Sequence, residues 1–64
     1  MMTNVMKRMM ITLTREDGSP AILDANRIQM INEDNGLTEV GYGDRSVTVT
    51  ETSREIVERI GRCL

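Results

Sequence analysis

The stretch VTVTETSREIVERI, residues 47–60, contains a change of hydrophobic period that decides the fold class. Over residues 47–50 valines alternate with threonines, which is the pattern of a half-buried β-strand with the valines inward and the threonines outward. After Thr52 the apolar side chains recur at helical spacing and form one stripe. The stripe comprises Ile56, Val57, Ile60 and Leu64. We therefore predict a strand followed by a C-terminal helix.

The predicted helix begins with a capping box over residues 52–55. The Thr52 hydroxyl is expected to accept from the Glu55 amide, and the Glu55 carboxylate to accept from the Thr52 amide. Glu55 with Arg59 and Glu58 with Arg62 are spaced four apart in the favourable order, so we expect ion pairs on the solvent side. The helix should cover a sheet face that carries Ile11, Leu13, Val47 and Val49.

Two further strands are predicted near the N-terminal end. Residues 9–14 place Ile11 and Leu13 on one face between threonines, as in a half-buried strand. Residues 15–20 contain Asp-Gly and a proline, which is turn chemistry. Residues 21–24 then form the second strand. These two strands and their turn make a β-hairpin.

The segment after this hairpin has two interpretations. In the first, residues 24–27 form a one-turn bend, because Asp and Asn favour local bonds to the backbone, and residues 28–32 form a strand. In the second, residues 25–31 form a short helix with Asp24 as its N-cap. Short apolar runs do not distinguish a strand from a helix by periodicity alone.

The middle of the chain predicts a second set of hairpins. Residues 33–36 end in Asn-Gly, the preferred pair for a tight hairpin turn. Residues 37–42 form a strand with Thr38, Val40 and Tyr42 on one face, and residues 43–46 form another turn. The predicted fold class is α+β: a small antiparallel sheet of four to five strands packed by one C-terminal helix. An open edge strand of such a sheet invites pairing with another chain.

The length and composition limit the fold to one small domain. Sixty-four residues build a thin core, and one cysteine with no histidine provides neither an internal disulfide nor a Cys–His metal set. Self-association is a common remedy, so we expect a homodimer or a higher oligomer. Residues 1–8 show no strand or helix pattern and are predicted to be a flexible N-terminal extension. Residues 9–64 form the predicted domain.

The net charge and hydropathy exclude several classes of function. A formal charge of −2 is unlike that of a general nucleic-acid binder, which is usually basic. No apolar run approaches the roughly 20 residues that span a membrane, so no membrane insertion is expected. The first residues carry their charges in the middle and do not resemble a secretory signal. We expect a cytoplasmic location.

The sequence shows no catalytic set. Without histidine, a nucleophile lacks the usual base, and Cys63 lies at a helix C-terminus, where the dipole disfavours a thiolate. Most acids fall in predicted turns or on the helix surface, and Glu33, Asp34 and Asp44 match no calcium loop. We therefore expect no enzyme activity, no metal and no cofactor.

Two sets of residues are candidates for binding. A protein partner is predicted to contact either the outward-facing Glu39, Thr48 and Thr50 or the loop around Tyr42, the single aromatic residue. Three arginines lie in or beside predicted turns, where they could meet phosphate groups of a nucleic acid or nucleotide. They are Arg15, Arg27 and Arg45.

Residues 10–60 resemble the small flagellar-operon family known as FlbD or SwrD. Its members typically open with MI-x-LTR-x-(N/D)G, continue with L-(N/D)-A-x-x-I-x-x-I-E and close with V-x-V-x-E-S-x-x-E-(I/V)-(I/V)-E-x-(I/V). The corresponding stretches here are MITLTREDG at residues 10–18, LDANRIQMIN at residues 23–32 and VTVTETSREIVERI at residues 47–60. The resemblance implies a non-enzymatic protein that supports flagellar motor output in swimming and swarming.

The leading hypothesis is therefore a small non-enzymatic interaction module that binds a protein partner, motor-related by resemblance. The alternative is a regulatory protein, encoded by a phage or mobile element, that binds nucleic acid or a nucleotide through the three arginines. Residues 22–64 also resemble, more weakly, the strand-rich LytTR type of DNA-binding domain, which is longer and basic.

Overall fold

A computed structural model describes residues 9–63 except for the side chain of Cys63, so the predicted extension over residues 1–8 and the apolar Leu64 lie outside the described residues. The predicted α+β class is confirmed. The strands are β1 (Met10–Thr14), β2 (Pro20–Asp24), β3 (Ile28–Asp34), β4 (Leu37–Tyr42) and β5 (Arg45–Val49), and the helix is α1 (Ser53–Cys63).

The strands form two antiparallel sheets, whereas the sequence predicts one. One sheet contains β1 and β2, and the other contains β3, β4 and β5 in that order. A bridge between Arg15 and Val49 joins them, next to a 2.8 Å hydrogen bond from the Thr50 amide to the Thr14 carbonyl. The two sheets therefore meet where β1 and β5 end.

A 3₁₀ turn, Ala25–Arg27, separates the two sheets along the chain. Asp24 is its N-cap, and the Asp24 carboxylate accepts from the Asn26 amide at 2.9 Å. This local bond replaces a ladder bond and interrupts the strand. The predicted bend is thus confirmed. The alternative helix over residues 25–31 is correct in its N-cap, Asp24, and wrong from Ile28 onward, because the 3₁₀ turn ends at Arg27 and Ile28 is extended.

The β3–β4 turn is tighter than predicted. Asn35 and Gly36 both have positive φ, +53° and +80°, as in the two-residue hairpin turns that Asn-Gly favours. Glu33 and Asp34, which the sequence analysis assigns to the turn, instead belong to β3 and pair with β4. The hairpin consequently extends by two residue pairs.

The β4–β5 turn is also shorter than predicted. Gly43 has a φ of +67°, and Tyr42 pairs directly with Arg45 across the turn. Arg45 and Ser46 therefore belong to β5 rather than to the turn. This register places Arg45 beside the tyrosine, which matters for the candidate site.

The core lies between the two sheets and α1, which packs against β1 and β3. Ile56 of the helix is fully buried, while Val57 is 59% exposed, because neighbouring helical positions point about 100° apart. Val57 is thus not part of the buried stripe. Val47 is half-buried and packs against the core. The buried apolar side chains are Ile11, Leu13, Ala21, Leu23, Ala25, Val40, Val49 and Ile56.

Glu51, in the link between β5 and α1, is a buried acid that connects three elements. Its carboxylate accepts from the amide and the hydroxyl of Thr14 at 2.8 and 2.9 Å and from Arg59 at 3.1 Å. Its carbonyl accepts from the hydroxyl of Thr38 at 2.6 Å. Arg59 also donates to the carbonyl of Thr12 in β1. We call these residues the Glu51 network.

The predicted capping box of α1 is confirmed. The Thr52 amide donates to Glu55 at 2.8 Å, and the Glu55 amide donates to the Thr52 hydroxyl at 3.1 Å. The predicted pairing of Glu55 with Arg59 is replaced, because Glu55 caps the helix and Arg59 turns to Glu51. Glu58 with Arg62 is likewise not among the ion pairs of residues 9–63.

Replacing Glu51 by alanine is expected to remove a large part of the stability of the protein. The change leaves the Thr14 amide without its acceptor and Arg59 without its carboxylate partner, which costs about 2–4 kcal/mol. Domains of this size are stable by about 3–10 kcal/mol in total. Urea unfolding followed by circular dichroism measures the loss. Glu58→Ala on the exposed helix surface is the control and should change stability by less than about 0.5 kcal/mol; equal effects of the two changes would contradict the prediction.

Stability is expected to fall in acid through this network. Burial raises the pKa of Glu51, but the hydrogen bonds from Thr14 and Arg59 outweigh burial and hold the pKa below its usual value. The folded state therefore binds fewer protons than the unfolded state, and the stabilisation present above about pH 4.5 is lost as the pH falls through the lower folded pKa.

The measurement is the urea midpoint of the wild type and of Glu51→Gln at pH 7, 4 and 3. The difference in urea midpoint between the wild type and Glu51→Gln should become smaller as the pH falls, because protonation of Glu51 removes the same charge that the substitution removes. A difference that stays constant across this range would show that the Glu51 charge does not stabilise the fold.

Candidate functional site

A surface cleft with a volume of about 360 Å³ lies between β2, the 3₁₀ turn and the β4–β5 hairpin. All three arginines that the sequence analysis selected line it, together with Tyr42. We call it the arginine cleft. Its residues are Arg15, Arg27, Arg45, Tyr42 and Asp44, with Ile22, Leu23 and Val47 as the apolar wall.

Tyr42 and Arg27 form the centre of the cleft. The Tyr42 hydroxyl accepts from the Asp24 amide at 2.8 Å, which ties the end of β4 to the end of β2. The Arg27 guanidinium lies 5.1 Å from the centroid of the Tyr42 ring, a cation–π distance. The 3₁₀ turn therefore fixes Arg27 above a ring that is itself held in place.

Arg15 is positioned by the β1–β2 hairpin. Its amide donates to the Ser19 carbonyl at 2.8 Å and closes the turn. Its guanidinium donates to the Pro20 carbonyl and approaches the Ser19 hydroxyl at 3.5 Å. The side chain therefore lies along the start of β2, at the border of the cleft.

Arg45 and Asp44 lie on the exposed side of the cleft. The Arg45 Nε is 4.0 Å from an Asp44 carboxylate oxygen, and the two side chains are 76% and 99% exposed. An ion pair this exposed and this long contributes little. Asp44 therefore does not hold Arg45 in a fixed pairing, and the Arg45 cation remains available to a ligand.

The cleft carries excess positive charge in a chain that is negative overall. Three guanidinium groups and one carboxylate line it, which leaves two positive charges in excess, while the whole chain has a formal charge of −2. Within residues 9–63, neither Arg15 nor Arg27 forms an ion pair. The cleft is thus a local site for anions rather than part of a generally basic surface.

The predicted partner-binding residues do not form one surface. Glu39 pairs with Thr48 across β4 and β5, and the Glu39 carboxylate accepts from Ser46 at 2.9 Å. Both are exposed on the outer face of the three-stranded sheet, whereas Tyr42 lies on the inner face and reaches the cleft. Thr50 is exposed just after β5 and helps to join the two sheets.

The acids that a cation would need are separated. Glu33 accepts from the amide and the hydroxyl of Ser53 and so caps α1, which lowers the pKa of Glu33 through these two bonds. Glu33 and Asp34 lie at one end of the β3–β4 hairpin, and Asp44 follows the opposite end of β4. The described part of the chain contains no cluster of three potential metal ligands.

The contribution of Asp44, the apolar wall of the cleft and the pairing of Arg45 with Tyr42 were not predicted from the sequence. One signal was available for the pairing: a two-residue turn after Tyr42 puts Arg45 directly opposite the tyrosine. The position of Ile22 and Leu23 in the wall depends on how the two sheets meet, which no local pattern encodes. The role of Glu51 in the core was missed for the same reason.

The described helix, 11 residues long, is too short and too polar to cross a membrane. Comparison of the chain with protein-family profiles, curated proteins and solved structures found no match.

Replacing Tyr42 by phenylalanine is expected to destabilise the centre of the cleft, because the change removes the hydroxyl and keeps the ring. The Asp24 amide loses its acceptor, which costs about 1–2 kcal/mol. Urea unfolding measures this loss, and faster hydrogen exchange at the Asp24 amide locates it. Thr48→Ala on the outer face is the control. Unchanged exchange at Asp24 would contradict the assigned hydrogen bond.

Proposed function

We propose that this chain is a small non-enzymatic interaction module that binds a protein partner through the arginine cleft. The observation that supports this proposal is the convergence of three arginines from three separate elements on one cleft around Tyr42. Arginine is over-represented where carboxylate or phosphate groups must be recognised by paired hydrogen bonds. The proposed contact is therefore an acidic segment of the partner.

The chemistry of the cleft favours binding over catalysis. Arginine stays protonated and does not act as a base, and the cleft contains no serine, cysteine or lysine as a nucleophile. The Tyr42 hydroxyl is engaged with the backbone of Asp24. The one carboxylate that lines the cleft, Asp44, is 99% exposed. It lacks the burial that usually raises the pKa of a catalytic acid.

The resemblance to the FlbD/SwrD family suggests what kind of partner this is. On that basis, the proposed partner is a protein of the flagellar motor, and the proposed location is the cytoplasm. We also propose self-association, because the core is small and several apolar side chains remain exposed. They are Met10, Ile22, Met30 and Val57.

A second candidate is a regulatory protein of phage or mobile-element origin that binds nucleic acid or a nucleotide. The placement of Arg27 over the Tyr42 ring supports it, since single-stranded nucleic-acid sites combine aromatic rings with arginine cations. The single aromatic residue and the net charge of −2 disfavour it. Affinity for an oligonucleotide that falls steeply between low and high salt would favour this candidate over the first.

Binding of the partner is expected to depend on the arginines of the cleft and not on the total positive charge of the chain. Affinity capture from the native cell should recover a partner with the wild type and lose it with the double variant Arg27→Ala, Arg45→Ala. The double variant Arg54→Ala, Arg62→Ala removes the same charge from the exposed helix and should retain the partner. Quantitative mass spectrometry of the three captures provides the comparison.

Two outcomes would overturn the proposal. One is that no protein is enriched with the wild type over a tag-only control. The other is that the cleft variant, shown by circular dichroism to be folded, retains the partner as well as the helix variant does. A partner that is not a motor protein would remove the motility assignment and leave the module intact.

A further inference from the structure

We infer that the arginine cleft takes a phosphate monoester in its dianionic form, such as the group on a phosphorylated side chain. This inference rests on the proposed function, in which the cleft is the contact surface, and adds the chemical class of the group that enters it. The same chemistry could be supplied by a phosphorylated protein or by a small phosphate compound.

Charge is the first argument for a dianion. The lining residues carry two positive charges in excess, from Arg15, Arg27 and Arg45 against Asp44. A phosphate monoester carries about −1.5 to −2 at pH 7, whereas a carboxylate or a phosphodiester carries −1. The monoester therefore matches the cleft most closely.

The available hydrogen-bond donors are the second argument. Within residues 9–63, the Arg27 guanidinium donates no hydrogen bond and forms no ion pair, and it lies over the Tyr42 ring. A cation–π contact uses none of the guanidinium N–H groups as hydrogen-bond donors, so these groups are available to a ligand. Such a held guanidinium has lost part of its conformational freedom before a ligand arrives.

Arg45, which pairs with Tyr42 across the β4–β5 turn, adds a second set of donors. Its pairing with Asp44 at 4.0 Å is exposed and weak, so an anion can compete for it. Arg15 is already turned toward the start of β2 by its bond to the Pro20 carbonyl, and it adds charge at the border of the cleft. Two arginines thus face the ligand as donors, and a third supplies long-range attraction.

The size of the cleft allows a phosphate group together with the atoms that carry it. A volume of about 360 Å³ lies within the roughly 300–1,000 Å³ typical of ligand sites. The apolar wall of Ile22 and Val47 can contact the carbon atoms next to the phosphate. One tyrosine offers one stacking face, which does not extend along a nucleic-acid strand.

The chain provides a built-in probe for the test. Tyr42 is the single tyrosine and the chain has no tryptophan, so intrinsic fluorescence reports on the cleft alone. The full chain is titrated with three optically transparent probes: a short glycine-flanked phosphoserine peptide, the same peptide with glutamate in place of phosphoserine, and glycerol phosphate. An oligonucleotide without a terminal phosphate is tested by gel shift.

The phosphoserine peptide is expected to bind at least about tenfold more tightly than the glutamate peptide, from its additional charge and acceptor oxygens. Glycerol phosphate that binds as tightly as the phosphopeptide would identify the phosphate group alone as the ligand; a tighter phosphopeptide would identify a protein source. Binding should be lost in Arg27→Ala, Arg45→Ala and retained in Arg54→Ala, Arg62→Ala.

The pH dependence distinguishes phosphate from carboxylate. Between pH 7 and pH 5 the affinity should fall about tenfold, because the second pKa of phosphate is near 6. The arginine side chain does not lose its proton in proteins, and the chain has no histidine. Among the residues lining the cleft only Asp44 is a carboxyl, and Asp17, whose charge acts on Arg15, accepts hydrogen bonds from Ser19. Asp44→Asn removes the carboxyl that lines the cleft; this variant should keep the pH dependence and bind about threefold more tightly, since a nearby like charge is gone.

The results that overturn this inference differ from those that overturn the proposed function. Equal affinity for the glutamate and phosphoserine peptides, no loss at pH 5, or tighter binding of the oligonucleotide would each reject the phosphate monoester. Weaker binding by Asp44→Asn would also reject it, independently of whether the arginine variants fold. In these cases a partner captured through the cleft would still support the interaction module.

Discussion

The buried carboxylate of Glu51 is the contact on which the rest of the structure depends. It lies in the link between β5 and α1, and it accepts from Thr14 in β1 while pairing with Arg59 of the helix. Its own carbonyl accepts from Thr38 in β4. A 64-residue chain builds only a small apolar core to hold two small sheets and a helix together. A charged group whose hydrogen bonds are all satisfied therefore supplies part of the connection.

The same junction positions the arginine cleft. The two sheets meet at the Arg15–Val49 bridge, and the chain then returns through the 3₁₀ turn to place Arg27 over Tyr42. The bond from the Asp24 amide to the Tyr42 hydroxyl closes this arrangement from the other side. The cleft is thus formed by the way the sheets join and not by a flexible loop. Its cations are presented by strand ends and a short turn whose backbones are already hydrogen-bonded.

Local signals predicted much of this fold. The change of period after Val49, the capping box at Thr52 and the Asn-Gly turn each depend on neighbouring residues, and each is present in the structure. The division into two sheets was not predicted, because it depends on which distant strand edges meet. Glu51 was missed because its partners are 8 and 37 residues away in sequence. The three arginines were selected from their place beside turns, but their convergence is a property of the tertiary fold.

Tyr42 is part of both the hydrophobic core and the cleft. Ligand binding in the cleft is therefore coupled to the stability of the folded state. The Tyr42 ring packs against the core, and its outer face lies under Arg27. An anion held by that guanidinium binds the folded state alone and shifts the folding equilibrium toward it by mass action. A shift of about 1–2 kcal/mol changes the unfolded fraction, which proteases attack, about 5- to 30-fold. With the proposed ligand, the resistance of the chain to proteolysis would then rise with the concentration of that ligand.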